Sequence, residues 1–149
     1  RTVSEGNILL LRGFDFNASA KLSTVFYAPY TAAIDRVAGT LSVNVAGFVP
    51  KEMLEAPVGT THFSIVSAAA AVNFTDGTHS SNHSATAELV YGGQAEAAIT
   101  LSNALEANST NALFLVLGVR FYQQVNEKFY LLNSGRHNAL SVIQVDVPA

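Results

Sequence analysis

Thr40-Leu41-Ser42-Val43-Asn44-Val45 alternates apolar and polar residues without a break, placing Leu41, Val43 and Val45 on one face of a half-buried strand. The same period of two recurs along the chain. Residues 61–74 read as a longer strand, with Phe63 and Ile65 on one face and His62, Ser64 and Val66 on the other. The alanine run at 68–71 has helical propensity, but the length of the segment and its β-branched flanks favour strand. Residues 22–27 read as a strand entered from 14–17 and closed by Pro29. Residues 50–55 form a short helical turn that begins on Pro50 and is ended by Pro57 and Gly59. Residues 75–84 read as a polar loop built on Asp76-Gly77. Residues 84–91 and 97–101 read as strands turned by Gly92-Gly93, with a helix over 95–105 as the alternative because Ala98, Leu101 and Leu105 would share a face.

The C-terminal third carries the clearest pattern. Residues 112–125 predict a long strand, followed by strands at 129–132 and 139–147. Asn126-Glu127 supplies a two-residue turn, since Asn tolerates the positive φ that hairpin turns demand. A loop over 133–138, around Gly135, completes a predicted three-stranded antiparallel meander. In the long strand Leu113, Leu115, Leu117, Val119 and Phe121 line one face, and Phe114, Val116 and Tyr122 line the other. Gly118 interrupts the second face, which predicts a bulge or a close backbone approach. A strand apolar on both sides is either covered on both sides or sits at an interface.

Seven or eight strands with one or two short helical turns predict an all-β fold. The expected architecture is an antiparallel β-sandwich, Ig-like or jelly-roll-like, with residues 1–149 forming one domain.

Composition sharpens this picture. The chain is 49% hydrophobic and 13% charged, against about a quarter charged in an ordinary soluble domain. Its mean hydropathy is +0.27. The longest apolar stretch, at 112–119, has eight residues, far short of the roughly 20 that span a bilayer as a helix. Apolar side chains beyond what one core buries are expected on a partner surface. A net charge of −3 and basic residues scattered singly from Arg12 to Arg136 give no basic stripe for nucleic acid. The absence of cysteine removes disulfides and thiolate metal ligation together. The chain opens on Arg1 rather than methionine, as expected of a processed product or an excised domain.

Candidate chemistry is sparse. His79 and His83 stand four apart, a spacing that on a helix would turn both imidazoles toward one metal. Their Ser and Asn neighbours favour a solvated loop instead, and Asp76, His79 and His83 are retained as ligand-loop candidates. His62 reads as a structural hydrogen-bonding residue on the polar side of its strand. No Gly-x-Ser-x-Gly elbow, phosphate loop, dinucleotide fingerprint or EF-hand loop occurs. Catalysis and cofactors are therefore not expected. Asn-x-Ser/Thr triplets at Asn17, Asn73, Asn82 and Asn108 would matter only in a eukaryotic secreted protein. Tyr27, Tyr30, Tyr91, Tyr122 and Tyr130 could complete a core or form a sugar platform.

Four segments carry a resemblance: Gly13-Phe14-Asp15-Phe16-Asn17, Ala56-Pro57-Val58-Gly59-Thr60-Thr61-His62-Phe63, Val119-Arg120-Phe121-Tyr122-Gln123-Gln124-Val125-Asn126 and Asn138-Ala139-Leu140-Ser141-Val142. In that order they resemble the C-terminal part of an uncharacterised family of Bacteroidota proteins, over nearly the whole chain. Members of that family usually place Asn-Gly where this chain has Asn126-Glu127, and typically carry a further N-terminal region. The resemblance implies a bacterial β-domain and no catalytic residue.

The leading functional expectation is a non-catalytic structural module that associates with copies of itself, as a homo-oligomer or a subunit of a surface filament. Phe114, Val116, Gly118 and Tyr122 are the expected self-association residues. The expected setting is extracellular or the cell surface. The alternative is a carbohydrate-binding module with glycans as partners.

Overall fold

The computed structural model describes residues 8–148; Arg1, where the chain opens, lies outside them. Among the described residues nine antiparallel strands, against the seven or eight expected, form two sheets of a β-sandwich, the architecture that the period-two pattern predicts. The smaller sheet runs β1 (Tyr30–Asp35), β2 (Thr40–Val45), β6 (Ile99–Ala104). The larger is built on β3 (His62–Val72) paired along its full length with β7 (Ala112–Val125). β4 (His79–Ala85) and β5 (Leu89–Val90) share the outer edge of β3. β8 (Lys128–Leu131) and β9 (Ala139–Asp146) share the outer edge of β7. Two single helical turns, α1 (Leu22–Val25) and α2 (Pro50–Met53), pack their apolar residues toward the core.

Alternation decides what the sandwich buries. Leu41, Val43 and Val45 of β2 are at most 1% exposed, and they face Phe63, Ile65, Leu113, Leu115, Leu117, Val119 and Phe121 of the larger sheet in one continuous core. The alanine run is strand, paired residue by residue with β7. Residues 99–104 are strand as well, paired with β2 rather than wound into the alternative helix.

The stretch read as one strand over 84–91, turned by Gly92-Gly93 onto the next, is the end of β4 and the separate β5. Both pair with β3, while β6 pairs with β2. Four further elements differ from the sequence reading, each for a physical reason. Residues 22–25 form a helical turn rather than a strand: the Asp15 carboxylate accepts the Leu22 N–H at 3.0 Å, and Leu22 and Val25, one turn apart, both reach the core. The Gly13–Phe16 segment lies along β9 instead, through Gly13 N–H to Val142 O, Val142 N–H to Phe14 O and Phe16 N–H to Leu140 O. The expected polar loop at 75–84 is a short turn followed by β4, an edge strand whose pairing with β3 needs no apolar face. The C-terminal strands are not a meander. β8 covers only Tyr122–Val125, and β9 pairs with the earlier part of β7, not with β8.

Gly118 marks a close approach: a Cβ there would lie 2.6 Å from the Ala139 carbonyl oxygen. The bulge falls elsewhere in the same pair, where Leu115 and Val116 face Gln144 and Val142. Ile143, left without a partner, turns into the main core while Val142 and Val145 stay on the outer face. Three nearly consecutive apolar residues are buried on two sides this way.

The seams between the sheets close differently. Beside β4 and β6, Asn82 Nδ2 donates to Ala104 O at 3.1 Å and Ser84 Oγ donates to Asn103 Oδ1 at 2.9 Å. Beside β1 and β9, α1 and the Arg36 side chain stand between the strand edges and leave a cleft.

Candidate functional site

The self-association residues expected from sequence fall on the outer face of β7. Phe114 and Val116 are already buried there, with Ile8, Ala112, Val142 and Val145 in a second apolar cluster. Gly118 is packed against Ala139 and Leu140, and Tyr122 is half-buried, its hydroxyl accepting from Ser64 Oγ at 3.4 Å. Residues 112–119 of the strand are covered on both sides within one molecule.

Elsewhere, exposed apolar side chains gather most densely along two segments. The first is the segment before α1, where Leu9, Leu10, Leu11, Phe14 and Phe16 are 38–79% exposed within eight residues. Its tight turn, Leu11 N–H to Ile8 O and Phe14 N–H to Leu11 O, directs these side chains outward, and Phe14 and Phe16 meet edge to face at 5.2 Å. The second is the β7–β8 hairpin, with Val125, Phe129, Tyr130 and Leu131 exposed. His62 and Tyr122 meet the Phe129 ring edge-on, at 4.9 and 6.3 Å. His62 Nδ1 lies 2.9 Å from Oγ1 of the adjacent Thr61, a hydrogen bond within its own segment rather than to a neighbouring loop.

Asp76, His79 and His83 do not converge. Asp76 sits at the β3–β4 turn, where its Oδ1 accepts the Thr78 hydroxyl at 2.6 Å and the Thr78 N–H at 2.9 Å, holding its carboxyl below the usual range. His79 and His83 lie on one face of β4, about 13 Å apart at strand rise. Among the described residues no group of three His, Cys, Asp or Glu side chains could hold a metal ion.

The cleft at the β1–β9 seam encloses about 500 Å³. Leu22, Phe26 and Ile143 supply its apolar lining, and Arg12, Asp15, Ser23 and Ser141 its polar groups. Tyr27 and Tyr30, 52% and 39% exposed, stand at its mouth. The Tyr27 hydroxyl donates to Thr24 O at 2.9 Å, and Tyr30 stacks on Phe26 at 6.3 Å with the rings 24° apart. Burial raises the Tyr30 phenol above the usual range, and the charge of Arg12 acts against that rise. No histidine lines the cleft.

No family model matches the chain, and no curated protein does. One solved structure, from work on pH-induced modulation of Streptococcus parasanguinis adhesion by Fap1 fimbriae, is 12% identical over 79% of this chain and 86% of that one. Its TM-score is 0.32.

Sequence reasoning named Tyr27 and Tyr30 only within a set of five tyrosines, and it missed Arg12, Asp15, Ser23 and Ser141. Asp15 and Ser141 come together through the pairing of the Gly13–Phe16 segment with β9, a contact between opposite ends of the chain. Nothing in the local pattern signals it. Leu9-Leu10-Leu11 followed by Phe14-Asp15-Phe16 is the sequence signal of the patch, which the reading of 14–17 as the entry to a strand passes over.

Proposed function

We propose that the protein is a non-catalytic structural module that associates with copies of itself. The observation that supports this most is the patch of Leu9, Leu10, Leu11, Phe14 and Phe16, five large apolar side chains outside the core in a chain with few charges. Surface of this kind marks interaction sites. Burying about 300 Å² of it yields about 7 kcal/mol at ~25 cal/mol/Å². Association entropy offsets much of that, so a stable assembly also needs a wider interface. The exposed β7–β8 hairpin offers a second surface, and β8 adds a short strand edge.

Light scattering coupled to size-exclusion chromatography tests this across a concentration series. The expected result is a mass above 15.8 kDa that falls when Leu10→Glu and Phe14→Glu are introduced. A monomer at every concentration overturns the reading. No helix among the described residues is long and apolar enough to cross a membrane. A surface or extracellular setting is part of the proposal.

Glycan binding is the second reading. Tyr27 and Tyr30, both oriented by neighbours at the mouth of the cleft, favour it.

A further inference from the structure

We propose that the cleft at the β1–β9 seam binds a pyranose sugar bearing a carboxylate, with Arg12 facing the carboxylate, Tyr27 and Tyr30 the sugar ring, and Asp15 the ring hydroxyls. This rests on the glycan-binding reading, and Arg12 and Asp15 lie within the same 9–16 segment that carries the exposed apolar patch.

Size and shape come first. About 500 Å³ lies within the roughly 300–1,000 Å³ of small-molecule sites. The two aromatic rings are fixed before any ligand arrives, Tyr27 through its bond to Thr24 O and Tyr30 through stacking on Phe26. Rings held in place lose little entropy on binding. A sugar offers them a flat C–H face while its hydroxyls stay free for polar partners.

Charge then selects among sugars. Arg12 and Asp15 line the same cleft yet form no ion pair, the Arg36–Asp146 pair being a separate one among the described residues. The Arg12 guanidinium donates no hydrogen bond to another described side chain or carbonyl, and it lies close enough to Tyr30 to lower its phenol pKa against burial. Its planar fork matches a carboxylate. Asp15 spends Oδ1 on the Leu22 N–H and retains Oδ2 as an acceptor for hydroxyl donors. Ser23 and Ser141 add hydroxyls on either side.

Other ligand classes fit less well. A doubly charged phosphate would bring twice the repulsion of a sugar carboxylate to the Asp15 side of the same small space. A purely aliphatic ligand would strip water from Arg12, Asp15, Ser23 and Ser141 without replacing their hydrogen bonds.

Isothermal titration calorimetry with a glucuronic-acid disaccharide and its neutral glucose counterpart tests the assignment. The wild-type chain is expected to bind the acidic sugar at least tenfold more tightly than the neutral one. Arg12→Ala should abolish that preference, and Arg12→Lys should retain part of it. Tyr27→Ala should weaken both sugars alike. Arg12 and Tyr27 are exposed, and circular dichroism melting shows whether each variant keeps the fold. Equal binding of the two sugars overturns the carboxylate assignment and leaves the glycan reading standing. Binding of neither overturns both. An acidic preference that survives Arg12→Ala in a folded variant overturns the role given to Arg12.

Discussion

The Arg36 guanidinium meets the Asp146 carboxylate at 3.0 Å, Nε to Oδ2, and in the same reach donates to three backbone carbonyls. Those carbonyls belong to Ser109, Asn111 and Asp146, at 2.8, 2.6 and 3.0 Å. One side chain from the β1–β2 turn thereby fastens the β6–β7 connection and the end of β9. It is the covalent-free strut that joins the two sheets on the side where the cleft lies open.

Replacing Arg36 with Ala is expected to cost about 2–4 kcal/mol, since charge-assisted bonds are lost and the carbonyls are left poorly satisfied. Arg36→Lys should recover only part of this, because an ammonium lacks the planar fork. Asp146→Asn should cost less, about 0–1 kcal/mol, and depend on salt, because the carboxylate is 44% exposed. Urea denaturation at two ionic strengths measures all three. A loss for Asp146→Asn as large as that for Arg36→Ala would place the stabilisation in the ion pair rather than in the carbonyl bonds.

Asn103 is the hub of a buried polar chain across the sandwich. It is 1% exposed; its Oδ1 accepts from Ser84 Oγ at 2.9 Å, and its Nδ2 donates to Ser67 Oγ at 3.0 Å and Leu41 O at 3.3 Å. Ser67 Oγ in turn donates to Val116 O at 2.9 Å. Strands β2, β3, β4, β6 and β7 are thus tied by side chains from β3, β4 and β6. Asn103→Ala should destabilise by about 2–3 kcal/mol through the groups left unpaired. The double variant with Ser67→Ala should lose less than the sum of the singles, as members of one network do. Asn103→Asp should fare worse near neutral pH and recover as pH falls, because a buried carboxyl is favoured in its neutral form in the folded state. Chemical denaturation as a function of pH follows this directly.

Gly118 has no room for a side chain. A Cβ would stand 2.6 Å from the Ala139 carbonyl oxygen and 2.7 Å from Leu140 Cδ1. The carbonyl is strand backbone, so it cannot swing aside as a flexible side chain would. Gly118→Ala is expected to cost about 1–3 kcal/mol, the range for overpacking. A melting temperature unchanged from wild type would show that β9 shifts freely at this point.

The sandwich was legible because most of its strands announce themselves by period two. The alanine run at 68–71 has the local propensity of a helix, yet β3 is set by pairing with β7 on one side and β4 on the other. What sequence could not supply is which edge meets which. β7 spans 14 residues and β8 only four, so a hairpin leaves most of the β7 edge open for β9. Strand lengths carry that information only once the turn is fixed. β4 carries no apolar alternation because every residue but Ser84 is exposed, and a strand held by backbone pairing and the polar bonds of Asn82 and Ser84 leaves no hydrophobic trace. The cleft was the least legible feature, since Asp15 caps a turn seven residues onward and faces Ser141 from the other end of the chain.

Asn126 and Glu127 form the predicted two-residue turn, with φ of 52° and 67°. Both lie in the left-handed region that suits type I′ hairpins. Asn accepts this conformation readily, whereas Glu pays about 1–2 kcal/mol for it. Glu127→Gly should therefore stabilise the protein, by about 0.5–1 kcal/mol after the added freedom of the unfolded chain is counted. Thermal melts of the single variant check the sign. A destabilised variant would mean that Glu127 makes a compensating contribution in solution.

Asp76 gives a titration prediction at the β3–β4 turn. The Thr78 hydroxyl, and then the Thr78 N–H, favour its ionised form and lower its pKa. A lowered folded-state pKa means that the stabilising contribution is fully present above the ordinary Asp range. It is lost as pH falls through the lowered value. Since Asp76 is fully solvent-exposed, the expected consequence is local loosening of the turn in acid rather than global unfolding. NMR titration of the Asp76 carboxyl should give a midpoint below that of a free Asp side chain. Thr78→Val removes the hydroxyl and keeps the backbone N–H, so it should move the midpoint part of the way back. A midpoint that does not respond to Thr78→Val would remove the hydroxyl as the cause.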